Sequence, residues 1–512
     1  MTVKSSNKYI KFLIPFFLGI ITSFSLPPYS YLFINFITFP TLLFFFIKNY
    51  KNSKWISFNI GWVFGFGYFI SNLYWITNSL TFDETFKPLI PIAIILIPLF
   101  LGIFYGIITL IISFFNLKEN FSLIIIFSIT FSAIEYIRSF IMGGFPWNLI
   151  AYSWTNYLNS IQIISLIGTY SFNLISITVF LLPTVIFYKK NIRIKFFTML
   201  FLFICLLGNY LFGNIKIKDD NESIEKLDFT IKIVSPQIDI NRFLKYEDPE
   251  KNIEELIALS NPQKSKKTIF IFPEVILTNL YFEDLKKYKK LFYKNYSSNH
   301  IIIMGMRSMK TIDGMSKIYN SLVILDRNLK LLAKYDKNKL VPFGEFLPFE
   351  NYLSKFGLKK ITQGYQSFSA SNKREIINIY NKKFLPLICY EIIYSGKLKS
   401  IEQNFDFIIN ISEDGWFGNS IGPYQHFSHS KFRAIEEGKY VIRSANNGIS
   451  AYISPKGKII HKLESTQKGV IEVKKFKYVK KTFFATHGNK IFFYFLIFYI
   501  ILFFFINKRE QR

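Results

Sequence analysis

Three short stretches of this sequence end an apolar run on a side chain that could do chemistry. Ile269-Phe270-Ile271-Phe272-Pro273-Glu274 closes a strand-like run with a carboxylate. Tyr335-Asp336-Lys337 is followed, eight residues after the lysine, by the carboxylate of Glu345 in Val341-Pro342-Phe343-Gly344-Glu345. Phe384-Leu385-Pro386-Leu387-Ile388-Cys389-Tyr390-Glu391 delivers a thiol and a third carboxylate. A cysteine at the carboxyl end of a buried strand stands where open α/β sheets place their ligands. It becomes a nucleophile only as a thiolate, so a neighbour must take its proton and another must hold the charge its attack creates. A carboxylate in an apolar strand-end pocket has a raised pKa and can shuttle a proton. A lysine near a carboxylate stays charged, lowers the thiol's pKa and stabilises an oxyanion; the Tyr390 backbone N–H offers a second donor. Singly, each piece has an ordinary reading. A strand-end Glu is more often a surface residue or a salt bridge, a Lys in a basic chain is usually solvated, and a solitary Cys is usually inert core.

The elements that must carry these groups alternate between strands and helices. Strands are expected at Phe229 to Pro236, Thr268 to Phe272, His300 to Met306, Ser321 to Asp326, Phe384 to Ile388, Phe405 to Ile411, Val441 to Ser444 and Ile449 to Ser454. Glu283 to Tyr296 and Tyr424 to Lys439 read as amphipathic helices. The pattern fits one α/β domain with sheets buried between helices.

The rest of the 512 residues has a different character. Half the chain is apolar and Phe alone numbers 60, unevenly spread, as a membrane part and a polar part require. A span needs about 20 apolar residues, and eight are expected near 12–29, 31–47, 55–79, 88–116, 121–141, 161–188, 195–213 and 491–507. The first resembles a signal peptide, but further spans follow at once and no small-residue cleavage site is evident. Lys4, Lys8 and Lys11, then Lys48, Lys51 and Lys54, then Lys118, then Lys189, Lys190, Arg193 and Lys195, and finally Lys508, Arg509 and Arg512 fall on one side of an eight-span arrangement. That side is cytoplasmic by the positive-inside rule, with both termini in it, and residues from about 215 to 488 are outside. The expected organisation is a transmembrane domain over 1–214, an extracytoplasmic catalytic domain over 215–488, and an eighth span with a cytoplasmic tail over 489–512.

The net charge of +28 builds no nucleic-acid recognition module and reads as a lysine-rich surface plus membrane anchors. No Walker-type phosphate loop occurs, so ATP-driven transport has no support. Within the spans, Gly61, Gly65 and Gly67 predict close helix packing. Glu135 and Arg138, at i and i+3, predict an intramembrane ion pair, functional or structural. The loop Gly143-Gly144-Phe145-Pro146-Trp147 suits the headgroup level. Cys205 reads as a buried small hydrophobe, with no disulfide to Cys389. His426-x-x-His429 could begin a metal site, but no further ligand arrives at suitable spacing, so a polar helix face is expected and no metal.

The order Pro-Glu, Lys, Cys-Tyr-Glu resembles the nitrilase superfamily, whose members use a Glu-Lys-Cys triad. More narrowly, Val341–Glu345, Ile388–Glu391, Asp414-Gly415-Trp416-Phe417-Gly418, Ser420-Ile421-Gly422-Pro423-Tyr424-Gln425-His426 and Arg443-Ser444-Ala445-Asn446-Asn447-Gly448 are similar to the apolipoprotein N-acyltransferase family. The resemblance covers nearly the whole chain. It implies a multi-span α-helical membrane domain plus an α/β nitrilase-like α-β-β-α sandwich domain. It implies Cys389 as nucleophile, Glu274 as general base and acid, Lys337 as oxyanion stabiliser, Glu345 as support for the lysine, and Tyr390, Glu391 and Trp416 as pocket residues. Two departures leave that triad untouched: Lys245-Tyr246 stands where the family has Lys-Trp, and His487 where an arginine is common.

The implied reaction moves a fatty acyl chain from a membrane phospholipid, usually phosphatidylethanolamine, through a cysteine thioester to the N-terminal amine of S-diacylglyceryl-cysteine on apolipoproteins. No cofactor is implied, and the implied location is the bacterial cytoplasmic (inner) membrane with the catalytic domain on the periplasmic side. The alternative is a membrane-tethered nitrilase-like amidase or hydrolase with water as acceptor, since the triad makes the same acyl-enzyme in both. A rival of another class is a transporter or receptor with an inactive sensor domain.

Overall fold

The computed structural model of the chain describes residues 10–50, 53–115, 119–219, 224–312, 314–348, 352, 355, 367–398, 403–477 and 480–511. Lys4, Lys8, Lys51, Lys118 and Arg512 of the charge pattern lie outside them. The chain forms two compact units, one of Met1–Thr77, Pro88–Asp219 and Thr482–Arg512, the other of Asn78–Lys87 and Asp220–Lys481.

The first unit is helical. Its main helices are α1 (Ile10–Ser23), α2 (Asn35–Asn49), α3 (Lys54–Leu73), α4 (Ile90–Ile112), α5 (Phe121–Arg138), α6 (Ile164–Leu181) and α7 (Ile192–Lys218), with Lys490–Gln511 at the C-terminus. Each falls on one of the eight expected spans. Among the described residues six helical segments are long and apolar enough to cross a membrane: Leu32–Asn49, Lys87–Ile112, Phe121–Arg138, Ser160–Phe187, Ile192–Lys218 and Lys490–Gln511. The 14 residues of α1 are too few for a full span at 1.5 Å per residue. Glycines let the backbones approach: a Cβ on Gly61 would lie 2.2 Å from the Tyr105 carbonyl oxygen of α4, and one on Gly67 2.1 Å from that of Phe16 in α1.

Glu135 and Arg138 form a fully buried ion pair at 2.5 Å. Arg138 also donates to the Phe145 carbonyl, and Tyr68 Oη donates to that of Asn148 at 2.9 Å, so the pair anchors the Gly143–Trp147 loop. Trp147 is buried, packed at 5.1 Å on Trp75 and 6.0 Å on Phe145. The structure corrects one expectation here. Cys205 is exposed, because α7 turns most of its surface away from the other helices.

The second unit is built on two six-stranded sheets. The first has the order β12-β1-β2-β3-β4-β5, from β1 (Ile224–Ser235), β2 (Thr268–Ile271), β3 (His300–Ile312), β4 (Met315–Leu325), β5 (Leu331–Asp336) and β12 (Gly469–Lys477). The second has the order β11-β10-β9-β8-β7-β6, from β6 (Ile377–Ile379), β7 (Lys382–Ile388), β8 (Phe407–Glu413), β9 (Tyr440–Asn446), β10 (Ser450–Ile453) and β11 (Ile459–Leu463). β5, β6, β11 and β12 are strands that the sequence pattern did not reveal.

Alternation decides the layering. Ile231, Ile233, Ile269, Ile271, Ile301 and Ile303 pack between the sheets with Phe384, Ile388, Ile409, Ile411 and Ile442. Their neighbours Val234, Phe270, Phe272, Ile302 and Met304 face the other way, onto α8 (Pro249–Ser260) and α9 (Lys289–Asn295). Lys232 shares that outer face and caps α8 by donating to the carbonyls of Ser260 and Asn261 at 2.9 and 2.8 Å. The expected Glu283 to Tyr296 helix is a 3-10 turn, Phe282–Tyr288, running into α9, and the expected Tyr424 to Lys439 helix is α10 (Gly422–Glu437), closed by Gly438 at φ +63°. The result is the α-β-β-α sandwich. β1, β2 and β3 run parallel, as do β7, β8 and β9, so their carboxyl ends present loops at one end of each sheet.

Candidate active site

Glu274, Lys337 and Cys389 follow the carboxyl ends of β2, β5 and β7. Each is held there by a backbone arrangement that local sequence alone does not dictate. Glu274 comes three residues after β2, and β3 makes room for it with a glycine. A Cβ on Gly305 would lie 2.4 Å from the Glu274 Cα and 2.6 Å from the Val275 nitrogen. The Gly305 N–H donates to the Pro273 carbonyl at 3.0 Å, and the Ile276 N–H donates to the Gly305 carbonyl at 3.1 Å. Val275, β-branched, is driven to φ +37°. Such strain persists only where the surroundings impose it.

The Glu274 carboxylate does not lie in the apolar pocket that its strand suggested. Its Oε1 accepts from Lys337 Nζ at 3.2 Å and Asn320 Nδ2 at 2.7 Å, and its Oε2 accepts from the Glu413 N–H at 2.9 Å. Lys337, 1 % exposed, also donates to Glu345 Oε1 at 3.0 Å. Asn320 Nδ2 reaches the same oxygen at 2.8 Å, and the Val341 N–H donates to Glu345 Oε2 at 2.9 Å. One amide and one ammonium therefore bridge two carboxylates. Burial works to lower the Lys337 pKa, but the charges of Glu274 and Glu345 outweigh it and hold the ammonium well above its usual range.

Cys389 is buried and adopts φ +50°, a left-handed turn between β7 and the short helix Cys389–Ile393. Its thiol is coupled to the same cluster. Burial, then the Glu274 charge, push its pKa well above the ordinary value, while Lys337 pulls the other way. The lysine acts in the expected direction but is outweighed, so the resting group is a neutral thiol.

Glu391 acts as a strut between two segments of the site. It is fully buried, and its Oε1 accepts from the N–H groups of Asn338 and Lys339 at 2.9 and 3.1 Å, from Tyr335 Oη at 2.7 Å and from Arg374 Nη2 at 2.6 Å. Its Oε2 accepts from the Ile388 N–H at 2.8 Å. One carboxylate thus ties the segment bearing Lys337 to the residue before Cys389. Burial alone would raise its pKa, but the Arg374 charge and the Ile388 amide hold it below the usual range.

Tyr390 is buried with its ring edge-on to Tyr394 at 5.6 Å. The Trp416 ring packs between Phe243 at 4.8 Å and Phe82 at 5.7 Å. Asn78 Nδ2 donates to the Phe417 carbonyl beside it at 2.7 Å. Tyr246 is 81 % exposed.

Glu413 gathers the loops on the other side. It accepts from Arg242, from Asn446 Nδ2 at 2.8 Å and from the Gly415 N–H at 2.8 Å, all buried. Cys389, Asp414 and His426 bring possible metal-donor atoms within 4.8 Å of one another. Asp414 Oδ1 is already committed to Ser412 Oγ at 2.7 Å and His426 Nδ1 at 2.9 Å, and its Oδ2 to Arg443 Nη2 at 2.8 Å. Asp414 and His426 are thus bound to each other, and both Asp414 oxygens are taken up by protein groups.

Reasoning from sequence missed Asn320, Gly305, Tyr335, Arg374, Arg242 and Glu413. Only Gly305 carried a local signal, since a glycine inside a strand marks a close approach of backbones.

Comparison with known proteins decides the family. Residues 18–182 match the apolipoprotein N-acyltransferase N-terminal domain, and residues 232–474 match the carbon-nitrogen hydrolase family. An apolipoprotein N-acyltransferase of Agrobacterium fabrum is 32 % identical over 81 % of this chain and 79 % of its own length. One of Rickettsia prowazekii is 33 % identical over 82 % and 84 %. The chain belongs to the apolipoprotein N-acyltransferase family. Membership makes it a membrane-embedded bacterial acyltransferase carrying a nitrilase-like domain, and it does not favour the hydrolase reading. Among solved structures, a CN-hydrolase superfamily protein of Xanthomonas campestris aligns over 48 % of this chain and 90 % of its own, at 17 % identity and a TM-score of 0.34.

Proposed function

We propose that this chain takes a fatty acyl group from a membrane phospholipid onto Cys389 and passes it to the N-terminal amine of S-diacylglyceryl-cysteine on an apolipoprotein. The observation that carries the residue assignment is Lys337 held between Glu274 and Glu345, with the Cys389 thiol coupled to Lys337 and Glu274. Glu274 removes the thiol proton as the sulfur attacks the ester carbonyl. Burial and the Glu274 charge hold the resting thiol's pKa up, so the attack needs Glu274 to accept that proton. Lys337 Nζ and the Tyr390 N–H stabilise the oxyanion. The tetrahedral intermediate collapses to a thioester, and the lysophospholipid leaves with the proton from Glu274. The incoming amine then gives a proton to Glu274, attacks the thioester carbonyl and releases the thiol. An ester is exchanged for a more stable amide, so no nucleotide is consumed.

Glu345 keeps Lys337 charged and aimed, and Glu391 sets the distance between the lysine segment and the cysteine turn. Both substrates are lipid-anchored and arrive by lateral diffusion, which gives the helical unit its purpose. The positively charged loops support a topology with both termini in the cytoplasm and the sheet unit on the periplasmic side of the inner membrane, divided near residues 214 and 488. Phosphatidylethanolamine is the proposed donor.

The test is intact-protein mass spectrometry after incubation in phospholipid micelles, with and without a diacylated peptide. A single acyl adduct on Cys389 that disappears as N-acylated peptide forms is the expected result. Fatty acid released at the same rate without peptide, or an adduct that survives Cys389→Ala, overturns it.

A further inference from the structure

We infer that His426 is a positioning residue for the nucleophile: its Nε2–H clamps the Cys389 carbonyl and fixes the left-handed turn that presents the thiol. The inference rests on the proposed role of Cys389. It starts from a conformation that needs support. A cysteine at φ +50° is in a region that side-chain-bearing residues rarely occupy, and it persists only if the chain is gripped on both sides. Before the turn the grip is the Ile388 N–H donating to Glu391 Oε2 at 2.8 Å. After it, a side-chain partner of the Cys389 carbonyl is His426 Nε2, at 3.3 Å. A carbonyl only accepts, so this contact is a hydrogen bond in the Nε2–H tautomer, where Nδ1 accepts from Arg443 Nη2, and in the imidazolium, where Nδ1–H also donates to Asp414 Oδ1.

His426 is itself rigidly held. It is fully buried on α10, and Nδ1 lies 2.9 Å from Asp414 Oδ1 and 3.2 Å from Arg443 Nη2. Asp414 is pinned by Arg443 Nη2 at 2.8 Å and Ser412 Oγ at 2.7 Å. Arg443 is pinned in turn by Asn410 Oδ1 and, through Nε, by the Ile449 carbonyl at 3.2 Å. Asn410 Nδ2 closes the circuit on the Leu387 carbonyl at 3.3 Å, two residues before the nucleophile. The fit is close: a Cβ on Gly448 would lie 2.3 Å from Asp414 Oδ2. The ring of Phe417 stands edge-on to the imidazole at 5.6 Å. Strands β8 and β9 therefore each contribute buried polar groups to the network that holds this one α10 side chain against the Cys389 carbonyl. Such a network holds an orientation more firmly than an isolated bond would. Burial lowers the His426 pKa against the pull of Asp414, in keeping with a structural donor and not a proton carrier.

Two substitutions separate position from polarity. A glutamine amide nitrogen can take the place of Nε2, whereas the shorter asparagine amide overlays only Nδ1. The full chain in phospholipid micelles is followed by intact mass for the single-turnover rate of acyl adduct formation on Cys389, with thermal unfolding measured alongside. The expected result is that H426N slows the adduct by about 10²-fold, as a misplaced reacting group does. H426Q recovers most of that rate, and the KM for phospholipid changes in neither variant. Equal rates for H426N and H426Q, or a KM change that accounts for the loss, overturn the inference while leaving the thioester reading intact. No adduct on wild-type Cys389 overturns both.

Discussion

Each unit of this protein buries an ionic cluster made of similar parts, and the two are put to different uses. In the helical unit Glu135 and Arg138 are matched one to one at 2.5 Å, and Arg138 also holds the Phe145 carbonyl. In the sheet unit a single ammonium, Lys337, lies 3.2 and 3.0 Å from two carboxylates and is coupled to a thiol. A guanidinium never gives up its proton and its fork suits fixed recognition, so the first cluster is a brace. The second carries one carboxylate more than its cation neutralises, and beside it is a group with a proton to lose. Burying charge does not by itself make a site reactive; an unmatched carboxylate next to an acidic hydrogen does.

The comparison can be broken by substitutions in each cluster. Cys389→Ala should abolish acyl transfer. Glu274→Gln and Lys337→Met should each lower turnover by about 10²–10⁴-fold, read as N-acylated peptide formed per folded molecule. A serine at 389 with near-normal turnover would remove the thiolate from the mechanism. Gly305→Ala should cost about 10²-fold in turnover by displacing the Glu274 backbone, with about 1–3 kcal/mol of stability lost to overpacking.

Arg138→Met should show the opposite division: about 3–5 kcal/mol less stability in thermal unfolding, as expected when one partner of a buried pair is removed, with turnover per folded molecule kept. Adding Glu135→Leu should restore part of the stability. If Arg138→Met instead abolishes turnover in folded protein, the pair is not a brace.

Direct alkylation of Cys389 sharpens the electrostatics, because the signs differ. The Glu274 charge raises the thiol pKa, so Glu274→Gln should speed alkylation at fixed pH even as it stops turnover. The Lys337 charge lowers it, so Lys337→Met should slow alkylation. In the wild type the alkylation rate should still be rising above the ordinary thiol range of about 8.5, since burial holds the folded pKa higher than that. The smallest effect is expected at Cys205→Ser, within about 0.5 kcal/mol and without loss of turnover, because that side chain is exposed.

The helices of the first unit were legible because a membrane span is a long apolar run, a property of consecutive residues. The inner strands were legible for a related reason: β2, β7 and β8 are short apolar runs between polar breaks. The edge strands were not. Leu331–Asp336 and Ile459–Leu463 bury too few of their residues to leave a pattern, and become strands by pairing with β4 and β10.

Residue types and order by themselves determined which side chains of this protein could form a thiol-dependent acyl-transfer site: a Pro-Glu, a Lys-x₇-Glu and a Cys-Tyr-Glu, each beside an apolar run. Only the tertiary structure decided how they are held. It supplied Asn320 to join two carboxylates, made Glu391 a strut between the lysine segment and the cysteine turn, gave Glu274 three donors in place of an apolar pocket, and set His426 against the Cys389 carbonyl. The physical reason is range. Apolar runs and motif spacing are properties of neighbours along the chain, whereas a hydrogen bond such as the one from Asn320 to Glu274 joins residues 46 apart and exists only once strands from distant segments have paired.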